Sequence, residues 1–416
     1  MISDDQVTTD RPTYHRLAPD QLAALAAATG DVAAIAELNA SRVSVHKLLL
    51  VDVLRKWSWP LGERDTAVSF LDTAKAADPR AFDRLIADPM VGAWLSRTGQ
   101  GIPRQGEFWQ LGNLATAAAV RTGVDCQVTG WAYEGRLALP TLGTAVLDER
   151  WTGPVRVSVS DGSTTVTGPS GVPVELVEGR HWCPLRVLRA RHEDLECAVR
   201  LEDDSPYRNG YHAPPSHRLD DDQARHWQEH FAGAWSLLCQ HVPEKAAEIA
   251  VGLRAVVPLA DSGDGSSRSA TARESVGAMG ASRPVSPEGF AVTLVHEFAH
   301  SKLSAVIDIV QLCRLDGVER HHAPWKVEKR PTSALLQGVF AFLHVADTWH
   351  RLIADTNLSD IADAQFTDLC EQVRIGYRAL AASRELTVTG AKFVATMGSM
   401  LQRLLDAPKP ARAGRA

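Results

Sequence analysis

The 416-residue chain contains His296-Glu297-Phe298-Ala299-His300, two imidazoles four residues apart with a carboxylate beside the first. On an α-helix, positions i and i+4 lie one turn apart on one face, so both rings can close on a single metal ion. The flanks read as helix. Ser286-Pro287-Glu288 offers a capping hydroxyl, a proline suited to the first turn and an acid at the positive end of the dipole. Val292, Val295, Ala299, Leu303, Val306 and Val310 then recur at three and four. The competing reading of the pair is two core histidines on an amphipathic helix, each satisfied by neighbouring polar groups.

Two imidazoles are too few for a tight site, so a third ligand is expected from another element. The best candidate is His344. It lies in a segment, Thr332 to Leu352, whose stripe of Leu336, Val339, Phe340 and Leu343 predicts a helix capped by Thr332 or Ser333. His350, His321, His322, Glu319 and Glu328 are rival ligands. Gly338 inside this helix costs about 1 kcal/mol relative to Ala, which suggests that another backbone packs closely there.

The elements that must position these groups predict an α+β, mainly helical protein. Residues 1–123 read as a helical N-terminal region: Leu22, Leu25 and Ala26 recur at helix spacing, as do Val45, Leu48, Leu49 and Val53, with Asp20 and Ser44 as caps. Residues 124–210 read as β-rich, with strands at Arg136–Leu139, Val155–Val159, Thr164–Thr167 and Val172–Val177 between Gly, Pro, Asp and Ser breaks. Residues 211–406 form a helical, metal-binding catalytic region, with Asp220–Val257 helical and Asp261–Ser275 either a mobile loop or the lead into a short edge strand. The segment LDGVERHHAPWKVEKRP is expected to be loop, and residues 407–416 a disordered tail.

Composition narrows the partners. Fifty acidic against 44 basic residues give a formal charge of −6 and no field for a polyphosphate backbone, so nucleic acid is not expected. No apolar run approaches the roughly 18 residues of a membrane span, and the opening MISDDQVTTD is acidic where a secretory signal is basic, which together predict a cytoplasmic protein without membrane contact. Six scattered cysteines without a CxxC pair fit reduced thiols.

The HExxH string by itself points to a zinc peptidase with Glu297 as the base. Its usual extensions are missing: Leu303 and Val306 stand where a metzincin needs Gly and His, and Glu319 and Glu328 fall in the expected loop rather than on a downstream helix. The wider chain resembles the actinobacterial HEXXH-motif proteins described as α-ketoglutarate-dependent HExxH-type peptide β-hydroxylases. The resemblance rests on HRLAPDQLAALAAATGDVAAIAEL, LEDDSPYR (Leu201–Arg208), AVTLVHEFAHSKLSAVIDIV (Ala291–Val310), APWK through KRP (Ala323–Pro331) and LLQGVFAFLHVADTW (Leu335–Trp349).

That resemblance implies an Fe(II) oxygenase that uses dioxygen and α-ketoglutarate to hydroxylate a β-carbon in a peptide, often a ribosomally made precursor. Three protein ligands, His296, His300 and His344, leave three octahedral positions for the keto acid and the gas. Glu297 points about 100° around the helix from His296 and is assigned to orienting groups rather than to the metal. Arg330, ahead of the helix start at Thr332, is the candidate for the distal carboxylate of α-ketoglutarate; Lys326 stands where the family commonly shows Arg, and Arg208 is read as an interface ion pair or a further candidate. Trp325 is expected in a wall or a core, Lys302 as a snorkelling or paired lysine, and Ser269, Thr271 and Ser275 as polar loop or edge strand. A non-enzymatic alternative is a helical scaffold that presents peptides.

Overall fold

The structure is a computed structural model that describes residues 14–57, 61–100, 106–147, 150–263 and 266–410. The acidic opening and most of the expected tail lie outside these residues. The fold is α+β and mainly helical, as the pattern predicts, and its C-terminal region is helical.

The chain begins with six helices, α1 (Pro19–Ala26), α2 (Val32–Lys56), α3 (Leu61–Ala77), α4 (Pro79–Ile86), α5 (Pro89–Gln100) and α6 (Gln110–Thr122). Helix α2 is capped by Asp31, whose carboxylate accepts from the Ala34 amide at 2.9 Å. Ser44 is therefore no cap. It sits mid-helix, where its hydroxyl meets Nε2 of His15 at 2.8 Å, because neither Gly nor Pro interrupts the run from Val32 to Lys56. Helix α6 does end at Gly123, which adopts the left-handed conformation at φ 68° that closes a helix C-terminus.

Nine strands follow: β1 (Cys126–Ala132), β2 (Arg136–Leu139), β3 (Gly143–Val146), β4 (Gly153–Ser160), β5 (Ser163–Thr167), β6 (Pro173–Glu175), β7 (Trp182–Pro184), β8 (Arg186–His192) and β9 (Leu195–Leu201). They form the sheets β1-β4-β5-β6 and β2-β3-β7, while β8 and β9 leave for another sheet. Strand β4 alternates buried and exposed residues, with Val155, Val157 and Val159 turned inward against the helices. A core of α2 to α6 and β1 to β5 results, centred on Leu95, Leu111, Leu114 and Val157.

Helices α7 (Asp221–His241) and α8 (Pro243–Gly252) replace the single predicted helix, because Pro243 lacks the amide that would continue it and opens α8 instead. Next come β10 (Ala255–Pro258), β11 (Ser269–Ala270), a 3₁₀ turn at Arg273–Ser275 and β12 (Ala278–Ala281). They join the earlier strands in a five-stranded sheet of order β11-β12-β10-β9-β8. The rest is α9 (Pro287–Ile309), the hairpin β13 (Arg320–Ala323) and β14 (Lys326–Pro331), and helices α10 (Thr332–Leu352), α11 (Ser359–Ala381) and α12 (Val388–Asp406). The expected loop before α10 is thus an antiparallel hairpin.

The second core gathers α1, the first turns of α2, strands β8 and β9, and every helix from α7 onward. The cores do not follow the expected division at residues 123 and 210: both Leu38 and Val199 are buried with the C-terminal helices. Apolar faces chose their partners by fit across the chain, which sequence boundaries do not record. Among the described residues, no helix is long and apolar enough to cross a membrane.

Candidate metal centre

Helix α9 starts as its sequence indicates, with the Ser286 hydroxyl accepting from the Gly289 amide at 3.2 Å and Pro287 in the first turn. Phe290, Ala291, Leu294, Ala299, Leu303 and Val306 bury one side of it. Each large apolar side chain so buried contributes roughly 1.5–3 kcal/mol, enough to fix the rotation of the helix about its axis. That rotation directs His296 and His300 together.

The Nε2 atoms of His296 and His300 lie 3.2 Å apart, with ring centroids at 4.7 Å and planes at 81°. Two ligands ~2.1 Å from one ion are separated by about 3.0–3.4 Å in octahedral or tetrahedral geometry, so the spacing fits a shared ion. Burial, then the neighbouring His300, pushes His296 down to about 3, which keeps its ring neutral and its lone pair free. Its side chain retains 20% of its exposure, so the pair can be reached from outside.

Gln337 of α10 completes the setting of His300. Its Oε1 stands 3.0 Å from Nδ1 of His300, and its Nε2 donates to Ser304 Oγ at 3.2 Å, which orients the amide. An acceptor at Nδ1 places the ring proton there and leaves Nε2 as the lone-pair nitrogen. Sequence reading missed this residue. The available signal was an amide on the buried stripe of α10, one turn before Ala341 and facing α9.

Glu297 is buried and turned toward the sheet edge. Its Oε1 accepts from Ser269 Oγ at 2.7 Å, and its Oε2 accepts from Thr271 Oγ1 at 2.5 Å. The edge strand anticipated near these residues is β11, and its Ser269 together with Thr271 just beyond it holds the carboxylate with Oε1 3.9 Å from His296 Nε2. Phe342 walls the other side, with its ring centroid 4.8 Å from that of His296 and 4.8 Å from that of Trp325.

His344 does not join the pair. Its Nδ1 donates to the Phe340 carbonyl at 2.9 Å, and its Nε2 accepts from Lys302 Nζ at 3.2 Å. Lys302 also bonds Glu248 of α8 at 2.6 Å, so a buried lysine separates His344 from a ligand role. The helical period put His344 on the α9-facing half of α10, but Gln337 took the place opposite His300. Among the described residues, no third His, Cys, Asp or Glu completes a metal-binding group with the pair.

No protein-family model matches the chain, and no curated protein is similar to it.

The remaining candidates occupy defined places. Arg330 on β14 is half-buried, lies across the hairpin from His321 and makes no ion pair among the described residues. The N-cap of α10 is Pro331, not Thr332 or Ser333. The Thr332 hydroxyl instead serves Glu385 at 2.6 Å, with His321 3.0 Å away. His321 also approaches Glu319 at 3.4 Å, His350 packs on Phe366, and His322 and Glu328 are exposed, so none of the rival ligands reaches the pair. Arg208 forms no ion pair among the described residues; it donates to the carbonyls of Ser205 at 3.1 Å and of Ser216. Gly338 makes room for a side chain rather than a backbone: a Cβ there would stand 2.5 Å from the Trp325 ring.

Proposed function

We propose that the chain is an Fe(II)- and α-ketoglutarate-dependent oxygenase that hydroxylates a β-carbon in a peptide, with a ribosomally made precursor as substrate. The observation that carries this reading is the 3.2 Å approach of the two Nε2 atoms, with the second ring held by Gln337. His296 and His300 would hold the iron with the two oxygens of the keto acid completing a set that two imidazoles alone leave short, and a further position would remain for dioxygen. When bound, this group supplies oxidation of a C–H bond: α-ketoglutarate loses carbon dioxide and becomes succinate, one atom of dioxygen enters the succinate, and the other enters the new hydroxyl.

The protein's own residues do the rest. Gln337 keeps the His300 proton on Nδ1. Phe342 shields one side of His296 from water. Arg330, which makes no ion pair among the described residues, would take the distal carboxylate of the keto acid, and a planar guanidinium suits that group. Glu297, held by two hydroxyls, would orient a peptide amide beside the pair.

A second reading, a zinc peptidase, draws on the 3.9 Å separation between Glu297 Oε1 and His296 Nε2, which puts a carboxylate beside the metal position. One experiment separates the two. Anaerobic protein with Fe(II) and α-ketoglutarate is expected to show a weak visible charge-transfer band that His296→Ala abolishes. Mass spectrometry of the peptide encoded by a neighbouring small open reading frame is expected to show the gain of one oxygen. Absence of the band at saturation, together with zinc-dependent cleavage lost in Glu297→Gln, would install the peptidase in its place.

A further inference from the structure

A partly enclosed cavity lies away from the histidine pair, built from α5, the β2–β3 hairpin and the segment that follows β9. It encloses about 550 Å³ including its mouth, of which about 40 Å³ lies clear of the walls by a water radius. Met90, Val91, Trp94, Leu139, Leu185 and Tyr207 give it apolar and aromatic walls. Glu202 and Thr144 also line it, and each is only 3% exposed. Asp204 and Arg218 complete its wall, so the cavity is narrow and greasy with two carboxylates and one guanidinium at its side, Glu202 being the more deeply buried carboxylate.

The charges around it are unevenly matched. Asp203 and Asp204 share three arginines: Arg186 meets Asp203 at 2.7 Å, Arg218 reaches Asp203 at 3.6 Å and Asp204 at 3.2 Å, and Arg136 pairs with Asp204. Asp88 and Glu202, by contrast, have Arg200 as their one ion-pair partner among the described residues, which pairs with Asp88 and keeps its Nε 3.4 Å from Glu202 Oε1. Two buried carboxylates have one guanidinium within ion-pair distance, while Arg208 acts on Glu202 and Arg254 on Asp88 only from farther off, and an under-paired buried charge is costly. Burial, and then Asp88, push the Glu202 carboxyl above the usual carboxylate range, as that shortage requires.

We propose that this cavity is a binding site for a slender primary ammonium, an alkyl chain of a few carbons that ends in –NH₃⁺. The chain lies along Trp94, Met90 and Leu139, and the ammonium donates to Glu202 and adds a positive charge in contact with that carboxylate. A carboxylate or phosphate ligand is disfavoured by the Glu202 and Asp204 carboxylates on the wall, and a larger ring by the narrow interior. This site shares no residue with the histidine pair and stands whatever reaction that pair performs. The same chemistry occurs in a free alkylamine and in the butylammonium end of a lysine side chain on a polypeptide.

Isothermal titration of the full chain tests it with n-butylammonium, 1-butanol, butyrate and the capped tripeptide acetyl-Gly-Lys-Gly-amide. Butylammonium or the tripeptide is expected to bind at least about tenfold more tightly than butanol, with butyrate weaker still, and Glu202→Gln is expected to erase the preference. Tighter binding of the tripeptide assigns the site to a lysyl side chain, and tighter binding of the free amine assigns it to a small metabolite. Equal affinity for amine and alcohol, or a preference that survives in Glu202→Gln, overturns the proposal. Should Glu202→Gln not fold, a crystal of the native chain soaked in butylammonium decides: nitrogen within hydrogen-bond distance of Glu202 supports the site, and a cavity filled by water alone overturns it.

Discussion

Lys302 Nζ lies 3.2 Å from His344 Nε2 and 2.6 Å from Glu248, and all three side chains are buried between α8, α9 and α10. Both nitrogens of His344 are thereby used. Burial, followed by Lys302 and Lys245, holds this ring well below the usual histidine range and hence neutral, so that it accepts from the lysine. His344→Ala removes that acceptor and leaves a void, and is expected to cost roughly 2–4 kcal/mol in urea denaturation. Affinity for Co(II), read by its visible absorption, is expected to stay within about twofold of the native value. A loss of tenfold or more would return His344 to the ligand set.

Gln337 makes the opposite prediction. Gln337→Leu takes the acceptor from His300 Nδ1 and is expected to weaken Co(II) binding by roughly 10- to 100-fold, with little change in stability. Gln337→Glu keeps an acceptor at the same reach and is expected to restore most of that affinity. Native affinity in the leucine variant would remove the amide from the site.

Trp325 joins the hairpin to the site through Gly338. A methyl group at Gly338 would meet the indole at 2.5 Å, and the indole in turn packs on Phe342 beside His296. Gly338→Ala is expected to destabilise by about 1–3 kcal/mol despite its better helix propensity. Combined with Trp325→Leu, the two costs are expected to fall short of their sum by at least ~0.5 kcal/mol; strict additivity in the double-mutant cycle would show that the indole does not set the limit.

His46 gives a pH signature far from the metal pair. Its Nδ1 bonds the Ile86 carbonyl at 2.7 Å, and burial pushes it down to about 4. An unfolded histidine titrates near 6.5, so between about pH 6.5 and 4 the unfolded chain binds a proton that the folded chain refuses. This contribution is complete above pH 6.5 and falls as the solution is acidified, by about 3 kcal/mol at pH 4. His46→Gln is expected to flatten the slope of stability against pH by close to one proton between pH 6 and 5, measured by urea denaturation. An unchanged slope would mean that His46 titrates in the folded protein as it does in the unfolded one.

Local chemistry made much of this protein readable before any coordinates. The start of α9 at Ser286-Pro287-Glu288, the end of α6 at Gly123, strand β2 and the shared face of His296 and His300 all follow from neighbours within a few residues, because capping, turn geometry and helical period act over that range. The partners of those elements were not readable. Whether Gln337 or His344 faces His300, whether β11 and the residue after it bring Ser269 and Thr271 to Glu297, and whether β8 and β9 join the N-terminal sheets or the one beneath α7 depend on which buried faces fit together across hundreds of residues. Side-chain packing decides such contacts by volume and by the need to satisfy every buried polar group, and neither quantity is written in the spacing of residues along one helix.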